Sequence, residues 1–145
     1  MFKKILVATD GSEHGFKAAG IALELGKISG GAVTAIYVAD TNRTAHLPDD
    51  MLLLSIRELL IKEGKEAIAQ VEVMAEEMGV PYGGAVVEGN PSSEIMRFAE
   101  EKGMDIIVMG TVGRTGLDKF LLGSVAEKVV RGSRIPVLTI PRGRT

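Results

Sequence analysis

Short apolar runs alternate with amphipathic stretches along the chain, and the two periods can be told apart. Ile5 to Thr9 is a continuous β-prone run, the pattern of a strand covered on both faces. Ser12 is placed to cap a helix running to about Ile28, with Phe16, Ala19 and Leu23 on its buried side and Gly26-Lys27 near its end. Ala32 to Val38 reads as the second strand, and the polar Asp40–Asp50 stretch, without periodicity, as a loop. The longest helix spans about Met51 to Met78. Its apolar stripe includes Ile56, Leu59, Leu60, Ala67, Ile68 and Val71, broken at Gly64, and Gly79 and Pro81 stop it. Ala85 to Val87 is a short third strand. Asn90-Pro91 opens a helix to about Lys102, ended by Gly103. Asp105 to Met109 is the fourth strand. A glycine-punctuated loop from Gly110 to Gly123 leads to a helix from about Ser124 to Arg131, and Pro136 introduces a last strand, Val137 to Ile140.

Strands and helices therefore alternate from end to end, with no repeat and no linker. Right-handed crossovers turn such an alternation into one doubly wound five-stranded parallel sheet, helices on both faces, in a single domain over residues 1–145. In that fold class ligands sit outside the carboxyl ends of the strands, where the strand order reverses. The segments that matter are then Thr9–Ser12, Val38–Thr44, Val87–Pro91 and Met109–Ser124.

Composition narrows the function. The charges, 17 basic against 19 acidic, leave a net −2, and aromatics are only 4%, so neither a nucleic-acid surface nor a base-stacking platform is expected. Cysteine is absent, which excludes disulfides, iron–sulfur sites and a cysteine nucleophile. No apolar run approaches the ~20 residues of a membrane span, and the short run after Lys3-Lys4 ends too early for a signal peptide. A cytoplasmic location is the expectation.

The connection after the fourth strand carries the strongest chemistry. Gly110 is followed by two residues and Gly113, then by nine residues and Gly123-Ser124. Glycines there let the main chain approach a ligand, and a helix start offers free N–H groups to a phosphate. Arg114 and Lys119 add positive charge, and Met109 stands at the ligand edge. A second reading is open: Ser124 and Glu127 have capping-box spacing, and the glycines would serve only the turn. There is no Gly-x-x-x-x-Gly-Lys-Ser/Thr loop, and Thr9-Asp10-Gly11-Ser12 is not a dinucleotide fingerprint. Asp10 also has two readings, a site carboxylate or an Asx turn. Asp40 and Glu88 could join it at a metal only through loops. His14 and His46 have no ligand-spaced partners and receive no role.

Lys4-Ile5-Leu6-Val7-Ala8-Thr9-Asp10-Gly11-Ser12, the Gly110-x-x-Gly113-x9-Gly123-Ser124 spacing and the run Leu121–Val130 together resemble the universal stress protein family, in its ATP-binding branch. The resemblance implies a Rossmann/flavodoxin-like sheet of order 3-2-1-4-5. It places Asp10 beside the nucleotide sugar and an ATP-bound Mg²⁺, with Thr9 in the same nucleotide site, and the Val38 main chain on adenine. Gly110, Gly113, Gly123, Ser124 and Val125 would surround the phosphates, with Arg114 near. Many members carry Ser-His where this chain has Thr111-Val112, which removes a polar side chain from the loop.

The function implied is a nucleotide-dependent regulator or sensor in the stress response. A cradle and a cation are present, but no base stands near the loop, so hydrolysis is expected to be slow at most. The alternative is an ATP-using enzyme of the nucleotide α-hydrolase type, for which Asp40–Asp50 is the only spare segment. That segment could also form a lid, with Arg43 reaching phosphate. The apolar strand Val137–Ile140, bracketed by prolines, reads as an edge, and the resemblance implies a homodimer through it.

Overall fold

The computed structural model describes residues 1–41, 50–112 and 122–142. Strands β1 (Lys4–Ala8), β2 (Ala32–Ala39), β3 (Tyr82–Glu88), β4 (Ile106–Gly110) and β5 (Val137–Ile140) form one sheet of order β3-β2-β1-β4-β5. Every pairing in it is parallel. Helices α1 (Glu13–Ser29), α2 (Asp50–Met78), α3 (Pro91–Glu101) and α4 (Ser124–Gly132) connect the strands. The expected fold class and strand order are those observed.

Alternation along the central strands divides the core between the two faces. Ile5 and Val7 of β1, Val33 of β2 and Val108 of β4 pack with α1 and α2, around Leu23 and Val71. Leu6, Ile36 and Ile107 point the other way, onto Ile95 and Ala99 of α3 and Val129 of α4. The ends of the strands remote from the site are tied together as well. The Asp105 carboxylate accepts the Lys3 and Lys4 amides, each at 2.9 Å. The Lys3 and Lys4 ammonium groups donate to the Ser29 and Lys102 carbonyls at the ends of α1 and α3.

Two details depart from the sequence reading, and a third finds its cause. The third strand starts at Tyr82 and not Ala85, taking in Gly83-Gly84. These glycines do not make a turn. A Cβ on Gly84 would lie 2.0 Å from Ile68 Cγ2, so the strand is bare there to let α2 close on it. The break in the α2 stripe has a similar cause. Gly64 is buried, and a Cβ on it would meet Tyr37 Cδ1 at 2.6 Å, so the Tyr37 ring fills the gap. Leu59, placed on the stripe by spacing, is 55% exposed. The first four turns of α2 bury no residue, because they project past the strand ends beyond the core.

Candidate functional site

A recess of about 370 Å³ opens at the carboxyl ends of β1, β2 and β4, within the usual size range for small-molecule sites. It lies at the place where the strand order reverses, between β1 and β4. Its walls are mainly apolar: Ile36 and Val38 of β2, Ile56 and Leu60 of the projecting part of α2, Ile95 of α3 and Met109 of β4.

The turn after β1 is built residue by residue. Thr9 is buried, its amide donating to the Ile36 carbonyl at 3.0 Å and its hydroxyl accepting the Gly11 amide at 3.2 Å. Asp10 Oδ1 accepts the Ser12 amide at 3.0 Å and the Ser12 hydroxyl at 2.5 Å. The Asx turn is therefore formed, and the same carboxylate also lines the recess. Gly11 takes φ 82°, which needs glycine. Ser12 caps α1 by accepting the Gly15 amide, as its position predicts. Gly15 leaves room for both side chains above it, since a Cβ there would stand 2.8 Å from Thr9 Oγ1.

The opposite rim is the start of α4. The capping-box reading of Ser124 does not hold: Gly123 is the N-cap, with no side-chain hydrogen bond, and Ser124 is the first helical residue. The cap moves back one residue because the Gly123 carbonyl already accepts the Glu127 amide at 2.9 Å. The amides of Ser124, Val125 and Ala126 then have no intrahelical acceptor, and all three residues line the recess. The Gly123 amide donates to the Thr111 carbonyl, which draws the β4 exit and the α4 start together. Beside them Thr111 Oγ1 is buried and has no hydrogen-bond partner among the described residues. An orphaned hydroxyl of this kind costs about 1–3 kcal/mol, which a ligand acceptor or donor would offset.

Thr9, Asp10, Val38, Met109, Gly110, Gly123, Ser124 and Val125 thus share one cavity. Gly113, Gly116, Arg114 and Lys119 lie outside the described residues, as do Arg43, His46 and most of the Asp40–Asp50 segment. Asp40 lines the recess. Glu88 is committed elsewhere, held by the Arg57 guanidinium through two hydrogen bonds that keep its carboxyl below the ordinary range. Among the described residues no three acidic, histidine or cysteine side chains could hold a metal ion.

Sequence reasoning missed Ile56 and Leu60, because their spacing shows a helix face but not that it overhangs the sheet. It also left His14 without a place. The His14 ring lies against Gly110, and its Nε2 is 3.0 Å from the Ile140 carbonyl.

Comparison with known proteins agrees with this architecture. The model of the Universal stress protein family matches residues 1–141. The chain is 45% identical to Universal stress protein MJ0531 of Methanocaldococcus jannaschii, over 98% of this chain and 84% of that protein. The solved structure of MJ0577, from the same organism, is 32% identical with a TM-score of 0.88, covering 100% of this chain and 99% of that one. Two more distant structures share the fold. One is a universal stress protein in complex with cAMP, at 22% identity and TM-score 0.75, covering 97% of this chain and 98% of that one. The other is the Archaeoglobus fulgidus universal stress protein in complex with dAMP, at 24% and 0.71, covering 97% and 99%. Among the described residues no helix is long and apolar enough to cross a membrane.

Proposed function

Since this chain belongs to the universal stress protein family, we propose that it is a cytoplasmic, ATP-binding regulator of the stress response whose ligand occupies the recess between β1 and α4. One observation carries the reading: a cavity of about 370 Å³ joins an apolar slot to a row of helix-start amides that have no intrahelical acceptor. A molecule that fits both ends has a flat apolar-faced part and an anionic tail. The cAMP and dAMP complexes of related proteins support an adenine nucleotide as that molecule.

In this reading adenine lies between Val38 and the Ile56–Leu60 wall, meeting the Val38 main chain. The sugar sits by Thr9 and Asp10, and Met109 and Gly110 floor the path to the phosphates. The phosphates take the amides of Ser124, Val125 and Ala126, where the positive end of the α4 dipole favours them. Gly113 and Arg114 complete the loop. Asp10 and Asp40 bring negative charge to the same cavity, so a polyanion needs a counter-cation. Mg²⁺ carried mainly by ATP phosphates, with water and the Asp10 carboxylate, meets that need without a protein-only cage. Asp10, the carboxylate beside the sugar, is held by the Ser12 amide and hydroxyl, which supports a site that binds and signals rather than turning nucleotide over rapidly.

The test is direct. Nucleotide released on denaturing the purified protein is identified by mass, and ATP affinity is measured by calorimetry with Mg²⁺. Gly123 has φ −64° and ψ 162°, a backbone any residue adopts, so Gly123→Val puts a side chain at the ligand's approach without backbone strain. It is expected to weaken ATP by about tenfold or more, some 1.4 kcal/mol. Asp10→Asn, which preserves the turn, is expected to weaken Mg-ATP more than metal-free ATP. Wild-type affinity in both variants would overturn the site.

The regulator is further proposed to be a homodimer through β5, the sheet's edge, where Leu138 is 38% exposed. An apolar edge strand offers its unpaired backbone to its symmetry mate. Sedimentation is expected to give twice the chain mass, falling to monomer with Leu138→Lys. A dimer that survives that charge would place the interface elsewhere.

A further inference from the structure

We infer that His14 is a positioning residue for the recess, locking the mouth of the loop after β4 to the last residue of the edge strand. The inference rests on the nucleotide reading only for what the lock serves, because the lock itself is a matter of geometry.

His14 is the second residue of α1, half-buried, one turn from the Asp10–Ser12 loop. Its ring occupies the space a side chain on Gly110 would need: a Cβ there would stand 2.4 Å from His14 Cδ2 and 2.7 Å from Nε2. Gly110 is in β4, paired with Ile140, and its backbone is not left-handed. The missing side chain at Gly110 therefore makes room for the imidazole, and turn geometry does not require it.

Nε2 then lies 3.0 Å from the Ile140 carbonyl. A carbonyl only accepts, so Nε2 carries the hydrogen. The same oxygen accepts the Thr111 amide at 3.0 Å. The Thr111 carbonyl in turn accepts the amide of Gly123, the cap of α4. A continuous path of hydrogen bonds thus runs from the first turn of α1, through the end of β5, to the residue that presents the helix-start amides. Without the ring, the Ile140 oxygen loses one of its two donors and Gly110 gains an empty neighbour. Both changes loosen the Thr111 peptide, and with it the separation of the recess's two rims. Because the path passes through β5, filling the recess and pairing the edge strand act on one shared unit.

Four variants decide the matter: His14→Ala, His14→Gln, Gly110→Ala and the double His14→Ala/Gly110→Ala. Glutamine can supply an amide donor near the position of Nε2. Amide hydrogen exchange at Thr111 by NMR is the first readout, and ATP affinity the second. His14→Ala is expected to speed Thr111 exchange and weaken ATP by about three- to tenfold each, the size of one lost hydrogen bond. His14→Gln is expected to recover most of both. Gly110→Ala should harm the wild type more than it harms the His14→Ala protein, since only the former has a ring to strike.

Unchanged Thr111 exchange in His14→Ala overturns the lock. So does a glutamine no better than alanine, or a Gly110→Ala cost that ignores His14. Faster exchange with unaltered ATP affinity overturns the positioning role. A wild type that binds no nucleotide sinks the nucleotide reading instead, and the exchange and Gly110 measurements still decide the lock.

Discussion

Gly84→Val is expected to lower the thermal midpoint and to open the recess at the same time. A Cβ at this position would lie 2.0 Å from Ile68 Cγ2, far inside any real contact, and Ile68 is β-branched and stiff. Helix and strand must separate. Overpacking of this kind costs about 1–3 kcal/mol, and a valine against an immovable neighbour belongs at the upper end. The functional part of the effect follows from the projecting turns of α2. Ile56 and Leu60 line the recess from the same helix that closes on β3 at Ile68, so displacing the helix is expected to withdraw the apolar wall. Nucleotide affinity should fall with stability. Adding Ile68→Ala should return part of both losses, although that change alone is destabilising. A double variant no better than Gly84→Val in melting temperature would show that the clash is relieved in some other way.

The second large effect is Leu23→Ala. Leu23 is fully buried on α1, in the cluster with Ile5, Val7 and Val33. Truncation leaves a cavity under a helix whose N-terminus carries the Asp10–Ser12 turn and His14. Leucine-to-alanine changes in such places cost about 2–5 kcal/mol. At about 3 kcal/mol the midpoint should fall by about 6–12 °C for a chain of this size. Thermal unfolding with and without ATP measures it, and bound nucleotide should restore part of the loss by mass action. A fall of under 2 °C, as about 0.5 kcal/mol would give, means that the α1 side of the core collapses to fill the space.

Much of this architecture is legible in the residues, and the limits have physical causes. Fully buried parallel strands announce themselves as unbroken runs, so Ile5–Thr9 and Asp105–Met109 were placed within one residue of β1 and β4. Capping is equally local: Ser12 and Asn90 stand where their side chains accept a first-turn amide. At α4 the same logic misplaced the cap, because glycine fills an N-cap nearly as well as serine and the pattern Ser-x-x-Glu fits the next position too. A third strand starting at Ala85 leaves out Gly83 and Gly84, because a glycine pair does not reveal whether it bends the chain or admits a neighbour. The neighbour, Ile68, is far away in sequence. His14 escaped for the same reason: its partners, Gly110 and Ile140, are about a hundred residues distant, and only the sheet order brings them to one helix turn.

The amino-terminal end of the central strands has a bearing on how such a chain can diverge. There Asp105, Lys3 and Lys4 clasp the first strand to the helix ends, wholly apart from the recess. Because the fastening lies at one pole and the binding surface at the other, side chains around the mouth can be exchanged for others without unpicking the scaffold. A lineage can then trade one small anion for another by altering the rim alone.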